Sequence, residues 1–470
     1  TDSQQTMLTS VVVLLATLAT ASADVWPMPR SVAISTPSVN VNATITASTT
    51  PSNRLSQIMA RYASSFLLDT GVEADLDVGF DEIRLDVLST DESLTQATDV
   101  SYNITAASSS SSSVVVISSA TIYGAQYGLE TLKQMLSRGP TLPQSIDVID
   151  SPTYNHRGFM VDTGRRFVPL QVILDNLDAM AMTKLNVLHL HFADWCRFAI
   201  ESENFPQLTA ALTDEQGGFY TKDEIKQMIE YANDRGIRVV PELDLPGHSH
   251  WGLPLMDSGE LEYCTGSKPY SILDDSGGHT EKTLKLLISE MIELFGAEEL
   301  FHIGADETTT LDDEGCTIDN IAGIESKIFQ HILDEGKTPV GWEEVFYGSG
   351  GAEGFEGEAV INAWNEGPRP SNIIADGFDA LESYSPAFYL NNKPTWTQVY
   401  KDIAQESSLA TTDAALQFRG GEVSMWTDNY CYSLQCGAYE GATPVGAPLY
   451  PPSQDEAFSA SFQGMVWPKA

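Results

Sequence analysis

Basic residues are scarce in this chain. Against 65 Asp and Glu stand only 25 Lys and Arg, a formal net charge of −40 over 470 residues. That balance argues against nucleic acid or an anionic membrane as partner, since both are bound by clustered cations. Cysteine is also scarce, with five residues at 196, 264, 316, 431 and 436. An odd count allows at most two disulfides and leaves a thiol over, and no CxxC or Cys/His cluster has zinc spacing. Membrane-length apolar runs are missing as well. The run Leu8–Ala19 is too short to span a bilayer, and Ala21-Ser22-Ala23 after it reads as a small-residue cleavage site. Residues 1–23 are therefore expected to be a secretory signal region. The segment Thr1–Thr6 has neither an initiator Met nor a basic residue, so the natural protein is expected to start further upstream. The mature chain should begin near Asp24. In that setting Asn42-Ala-Thr and Asn103-Ile-Thr are glycosylation acceptors.

What is present is enough for a large core, with 42% hydrophobic and 9% aromatic residues. Residues 24–150 are expected to form a smaller supporting α/β domain. Within it Val114–Ile117 reads as a strand after the serine run Ser108–Ser113, and Ala125–Leu136 as an amphipathic helix. From residue 151 to 470 the pattern changes to apolar strands alternating with helices. Expected strands are Gly158–Asp162, Asn186–Phe192, Ile237–Leu243, Leu300–Ile303, Pro339–Trp342, Ala359–Trp364, Ala380–Ser383 and Gly421–Met425. Helices fall between them at Pro169–Leu185 and from Thr221, where Glu224 three residues on completes a capping box. Eight such units predict a (β/α)₈ TIM-type barrel, with an open doubly wound sheet as the alternative. Strand ends carrying Asp162, Asp194, Asp244, Asp306, Glu343, Glu366, Tyr384 and Asp428 favour the barrel, which gathers them on one face. The chain stops at Ala470 where a closing helix should continue.

The chemistry concentrates in His302-Ile-Gly-Ala-Asp306-Glu307. Two adjacent carboxylates after a buried strand are costly to desolvate, and each raises the other's pKa. That arrangement can keep one acid protonated beside an ionised partner. Trp342, Trp364 and Trp426 fall at strand ends, and aromatic planes around carboxylates suit pyranose rings. His189-x-His191, with His248, His250 and His302, raises a metal-dependent amidohydrolase as the competing chemistry.

The chain resembles glycoside hydrolase family 20, the β-N-acetylhexosaminidases. The motifs that carry the resemblance begin with Val25-Trp-Pro-Met-Pro29. They continue through HRGFMVDTGRRFVP (156–169), KLNVLHLHFAD (184–194), RGIRVVPELDLPGHSH (235–250), FHIGADE (301–307), GWEEVF (341–346), INAWNEG (361–367), FYLNN (388–392) and GGEVSMW (420–426). The resemblance implies that Glu307 is the general acid–base, and that Asp306 orients the substrate's 2-acetamido group. The acetamido oxygen would then be the nucleophile, which is why adjacent acids suffice. It further implies substrate contacts from Arg157, Tyr389, Trp342, Trp364, Trp426, Asp428, Asp194 and His248, with Asp244 and His302 in support.

By the same resemblance Cys264 pairs with Cys316, leaving Cys431–Cys436 as a local candidate. No cofactor and no metal are implied. The implied substrates are N-acetylhexosamine-terminated glycans or chitooligosaccharides, in a secreted or lysosomal/vacuolar protein for which a homodimer is open. Ala305 stands where the family often has a second Gly, and Trp195-Cys196-Arg197 where many members carry a second Asp. Those departures keep a catalytically inert sugar-binding relative as the second reading.

Overall fold

The computed structural model describes residues 25–35, 38–70, 79–107, 114–137, 141–195, 197–210, 212, 218–264, 272, 277–307, 317–365, 367–395, 397–400 and 417–427. The expected signal region, the serine run, Cys196, Cys316, Glu366, Trp396, Asp428, Cys431, Cys436 and the expected closing region lie outside these residues, as does the side chain of Asn42. Among the described residues no helix is long and apolar enough to cross a membrane.

Two compact units are formed. The first runs through Thr153 and takes in Ala181–Lys184 and Asp234–Gly236. Its strands are β1 (Ser31–Ile34), β2 (Ser38–Ala47), β3 (Gly79–Val87), β4 (Tyr102–Ala107), β5 (Val114–Ser119), β6 (Thr141–Pro143) and β7 (Ser145–Asp150), in the sheet order β1-β7-β4-β5-β3-β2-β6. Strand β5 alternates half-buried and buried positions, so Val115 and Ile117 point into the core. The helix Ile122–Leu136 begins three residues before the expected start. Thr121 caps it by accepting a hydrogen bond from the Gly124 N–H at 3.2 Å. Leu129 and Leu132 of this helix join Leu55, Ile58, Phe80 and Ile104 in one apolar core.

The second unit is a closed barrel. Its parallel strands are β8 (His156–Asp162), β9 (Val187–Asp194), β11 (Arg238–Leu245), β12 (Leu300–Gly304), β13 (Thr338–Trp342), β14 (Val360–Ala363), β15 (Asp379–Glu382) and β16 (Phe418–Met425). They pair in that order and β16 closes onto β8, while the two-residue β10 (Arg197–Phe198) lies antiparallel on β9. All eight expected strands are present, each shifted by no more than a few residues.

One layer of Val187, Val240, Leu300, Val340, Val360 and Leu381 fills the interior. These residues occupy first and third positions on successive strands, as the stagger of a tilted barrel requires. The helix Leu170–Thr183 buries Ile173, Leu174 and Leu177, and Lys222–Asn233 buries Ile225, Met228 and Ala232. The capping box is formed as expected: Thr221 Oγ1 accepts from the Glu224 N–H at 3.2 Å, and Glu224 Oε2 accepts from the Thr221 N–H at 2.8 Å.

Candidate active site

Parallel closure sends every strand's C-terminal end to one face, where Asp306, Glu307, Asp194, Asp244, His248, Trp342, Trp364, Trp426 and Tyr389 of the expected set come together. Asp306 and Glu307 follow β12 through a backbone that few residues tolerate. Gly304, Ala305 and Glu307 have φ of 71°, 67° and 54°, all in the left-handed region. A Cβ on Gly304 would lie 1.9 Å from Asp244 Oδ1, so glycine is required there.

Ala305 has no such excuse, and its left-handed conformation costs about 1–2 kcal/mol relative to a right-handed one. Ala305→Gly is therefore expected to stabilise the folded protein by about 0.5–1 kcal/mol after the greater chain entropy of glycine is subtracted. Denaturant unfolding of the two proteins side by side measures it.

Asp306 is buried, and its Oδ1 meets no hydrogen-bond partner among the described residues. Burial raises its pKa, the neighbouring Glu307 charge adds to the rise, and His248 opposes it. Glu307 is more open, its side chain 57% exposed, and its Oε2 lies 3.0 Å from His248 Nε2. That hydrogen bond holds Glu307 below the ordinary carboxylate range. The two acids are thus split as expected, but with the proton favoured on Asp306 in the free protein.

His248 sits in the loop after β11 at φ 52°. Burial works against its charge, yet Asp306 and Asp194 outweigh burial and raise its pKa well above the usual histidine value. Its Nδ1 lies 3.5 Å from Asp194 Oδ1 and 3.8 Å from Asp244 Oδ2. Asp244 is pushed well upward by burial and then by Asp306, and its Oδ1 accepts the Ala305 N–H at 3.3 Å. Asp194 is buried, but Arg165 and His248 keep it ionised.

Beneath these groups histidines alternate with carboxylates through the barrel interior. His191 places Nε2 2.8 Å from Asp194 and Nδ1 2.6 Å from Glu242. His189 has Nε2 2.9 Å from Glu242 and Nδ1 2.9 Å from Glu422. Burial alone would discharge His189, but Glu422 and Glu242 raise it to about 9. Both residues point inward from β9 at i, i+2, as the metal reading required. Both ring nitrogens of His191 and Nδ1 of His189 are nevertheless hydrogen-bonded to carboxylates. His302 Nδ1 accepts the Gly304 N–H at 2.9 Å, and burial lowers that ring to about 3, leaving it neutral.

An aromatic wall stands over this interior. Trp342 and Trp426 pack with Met160, and Trp364 and Tyr389 close against them. Trp342 Nε1 donates to Glu242 Oε1 at 2.9 Å. Trp364 and Tyr389 stack with planes 8° apart and centroids at 6.0 Å. Trp195 lays its ring against His250 at 4.2 Å and near His248 at 5.9 Å.

One expectation is corrected. Arg157 is the second residue of β8 and lies at the opposite end of the barrel, where its Nη1 donates to Tyr154 O at 2.6 Å. The arginine that enters the site is Arg165, eight residues later and past the end of β8. Its guanidinium reaches Asp194 at 3.0 Å, Asp162 at 3.3 Å and His248 Nδ1 at 3.0 Å, and covers Trp426 at 4.8 Å. The sequence signal was available: residues at or beyond a strand's C-terminal end reach this face, and Arg157 stands at the other end of its strand.

With that geometry in place, comparison with known proteins is decisive. Residues 154–434 match the family described as Glycosyl hydrolase family 20, catalytic domain. The chain belongs to glycosyl hydrolase family 20. It is accordingly a glycoside hydrolase. β-Hexosaminidase subunit B2 of Dictyostelium discoideum is 31% identical over 446 residues, covering 86% of this chain and 78% of its own. The human β-hexosaminidase subunit beta is 30% identical over 359 residues, 70% of this chain and 61% of its own. Among solved structures, a Flavobacterium johnsoniae chitobiase superposes with a TM-score of 0.72 over 94% of this chain and 73% of its own, at 23% identity. Within the family 20 barrel, sequence reasoning missed Arg165, Glu242 and Glu422 as parts of the interior network.

Proposed function

We propose that the protein is an exo-acting β-N-acetylhexosaminidase that releases terminal N-acetylhexosamine by retaining, substrate-assisted catalysis. The observation that carries the reading is the buried Asp306 carboxyl with an unpartnered Oδ1 beside an aromatic wall, adjacent to a more open Glu307. A buried carboxyl without a donor is costly, and an acetamido N–H supplies one. Held by Asp306 and walled by Trp342, Trp364, Trp426 and Tyr389, the acetamido group directs its carbonyl oxygen at C1. That oxygen displaces the leaving group and closes an oxazolinium ring. Glu307, protonated in the complex, gives its proton to the departing oxygen and then takes one from the water that opens the ring. His248 and Asp194 set the position and charge of Glu307, Arg165 binds sugar hydroxyls through its planar fork, and Asp428 contributes from beyond the described residues.

Chitinous or glycan-derived N-acetylhexosaminides are the substrate class, in a protein of the secretory route. Support for that route comes from the leader. Asn103 is exposed on β4, which suits a glycan there, and Cys264 carries no free thiol, which suits pairing with Cys316. The test is hydrolysis of an N-acetyl-β-glucosaminide, with the first-formed anomer observed by proton NMR. A β-anomer and little turnover of the plain β-glucoside are expected. Inversion, or equal rates on both sugars, would refute the reading.

A further inference from the structure

The motif Gly341-Trp-Glu-Glu-Val-Phe346 brings two adjacent glutamates to the end of β13, and the reaction above uses neither of them. Both turn towards one residue just past the end of the next strand, Trp364 after β14. Glu343 Oε2 accepts the backbone N–H groups of Trp364 and Asn365 at 2.8 and 3.1 Å. Glu344 Oε2 accepts the Trp364 indole N–H at 2.9 Å. Main chain and side chain of one tryptophan are therefore held by neighbouring carboxyls, one on each. Trp364 in turn stacks on Tyr389, which lies 5.8 Å from Trp426.

We propose that Glu343 and Glu344 clamp Trp364, and that Glu344 is a positioning residue that sets the angle of the pocket wall against the acetamido group. The proposal rests on the substrate reading given above. A hydrogen bond to the indole nitrogen fixes rotation of the ring, which stacking on Tyr389 alone leaves free to slide. The nucleophile here belongs to the substrate, so its aim depends on the wall. An error of about 1 Å in such an aim can cost a factor of about 100.

Glu344 also faces Asp306, Glu343, Glu325 and Tyr389, while the positive charge of Arg369 reaches Glu343. Burial, followed by Asp306, raises the Glu344 carboxyl to about 8. Below that pH the Glu344 carboxyl accepts the indole N–H hydrogen bond as a neutral acid.

Glu344→Gln and Glu344→Ala separate positioning from mere support. Glutamine keeps an acceptor and is expected to hold kcat within a factor of about five, since a neutral hydrogen bond is worth only about 1 kcal/mol. Alanine removes the acceptor and should lower kcat by about 10- to 100-fold with a smaller change in KM. Tryptophan emission of the unsubstituted protein should titrate near pH 8, and that step should vanish in Glu344→Gln and in Trp364→Phe. Circular dichroism checks that each variant is folded. Equal losses in the Gln and Ala variants, an unimpaired Ala variant, or an emission step that persists in Glu344→Gln would each overturn the clamp. If the unsubstituted protein turns over no N-acetylglucosaminide, the substrate reading fails instead, while the emission titration still reports on the Glu344–Trp364 pair.

Discussion

Glu307→Gln is expected to lower turnover of an N-acetyl-β-glucosaminide with an alkyl leaving group by about 10²- to 10⁴-fold. Glutamine fills the same space and still meets His248, so the fold should survive and the loss should report on the proton alone. With a nitrophenyl leaving group the defect should shrink, because that oxygen departs without much protonation. The pH dependence sharpens the test. In the free protein the hydrogen bond from His248 depresses Glu307, which favours the ionised form. Substrate covering this half-exposed side chain strips its water and pushes the pKa up again. The alkaline limb of kcat, which reports the complex, should therefore lie at higher pH than that of kcat/KM, which reports the free enzyme. Coincident limbs would mean that substrate does not change the environment of Glu307.

Asp306→Asn should cost about 10²- to 10³-fold in kcat, the range found when a group stabilising developing charge is removed. Its signature differs from that of Glu307→Gln. The acetamido oxygen bonds to C1 as the leaving group departs, and the charge that Asp306 stabilises develops on the acetamido group whatever that leaving group is, so a nitrophenyl leaving group should rescue the Asn variant far less than the Gln variant. Asn keeps one acceptor for the acetamido N–H, and KM should change less than kcat. Similar rescue of both variants would show that the two carboxyls share one role. These outcomes are read from initial rates on two substrates with each purified protein.

Much of the barrel was legible because strands buried on both faces read as apolar runs, such as Val187–Phe192 and Leu300–Ile303. The acidic pair was legible from its place after one of those runs. Arginine assignment failed for a physical reason that the pattern itself contained. Arg157 precedes the β8 apolar run and Arg165 follows it, and strand polarity alone sends the second to the active face. Partner choice in the interior was not legible. His189 and His191 share an inward face at i, i+2, which fits metal ligands and ion pairs equally well. The decision depends on Glu242 and Glu422, brought from other strands. Which of Asp306 and Glu307 keeps the proton was equally hidden, since it turns on His248, 59 residues before Glu307.

The central claim is that the substrate's own acetamido oxygen attacks C1. Replacing the acetyl hydrogens stepwise with fluorine weakens that oxygen as a nucleophile and leaves the ring and leaving group unchanged. Rates measured on the N-acetyl, N-fluoroacetyl, N-difluoroacetyl and N-trifluoroacetyl glucosaminides should fall steeply with each fluorine. A flat series would contradict the account and require a nucleophile supplied by the protein.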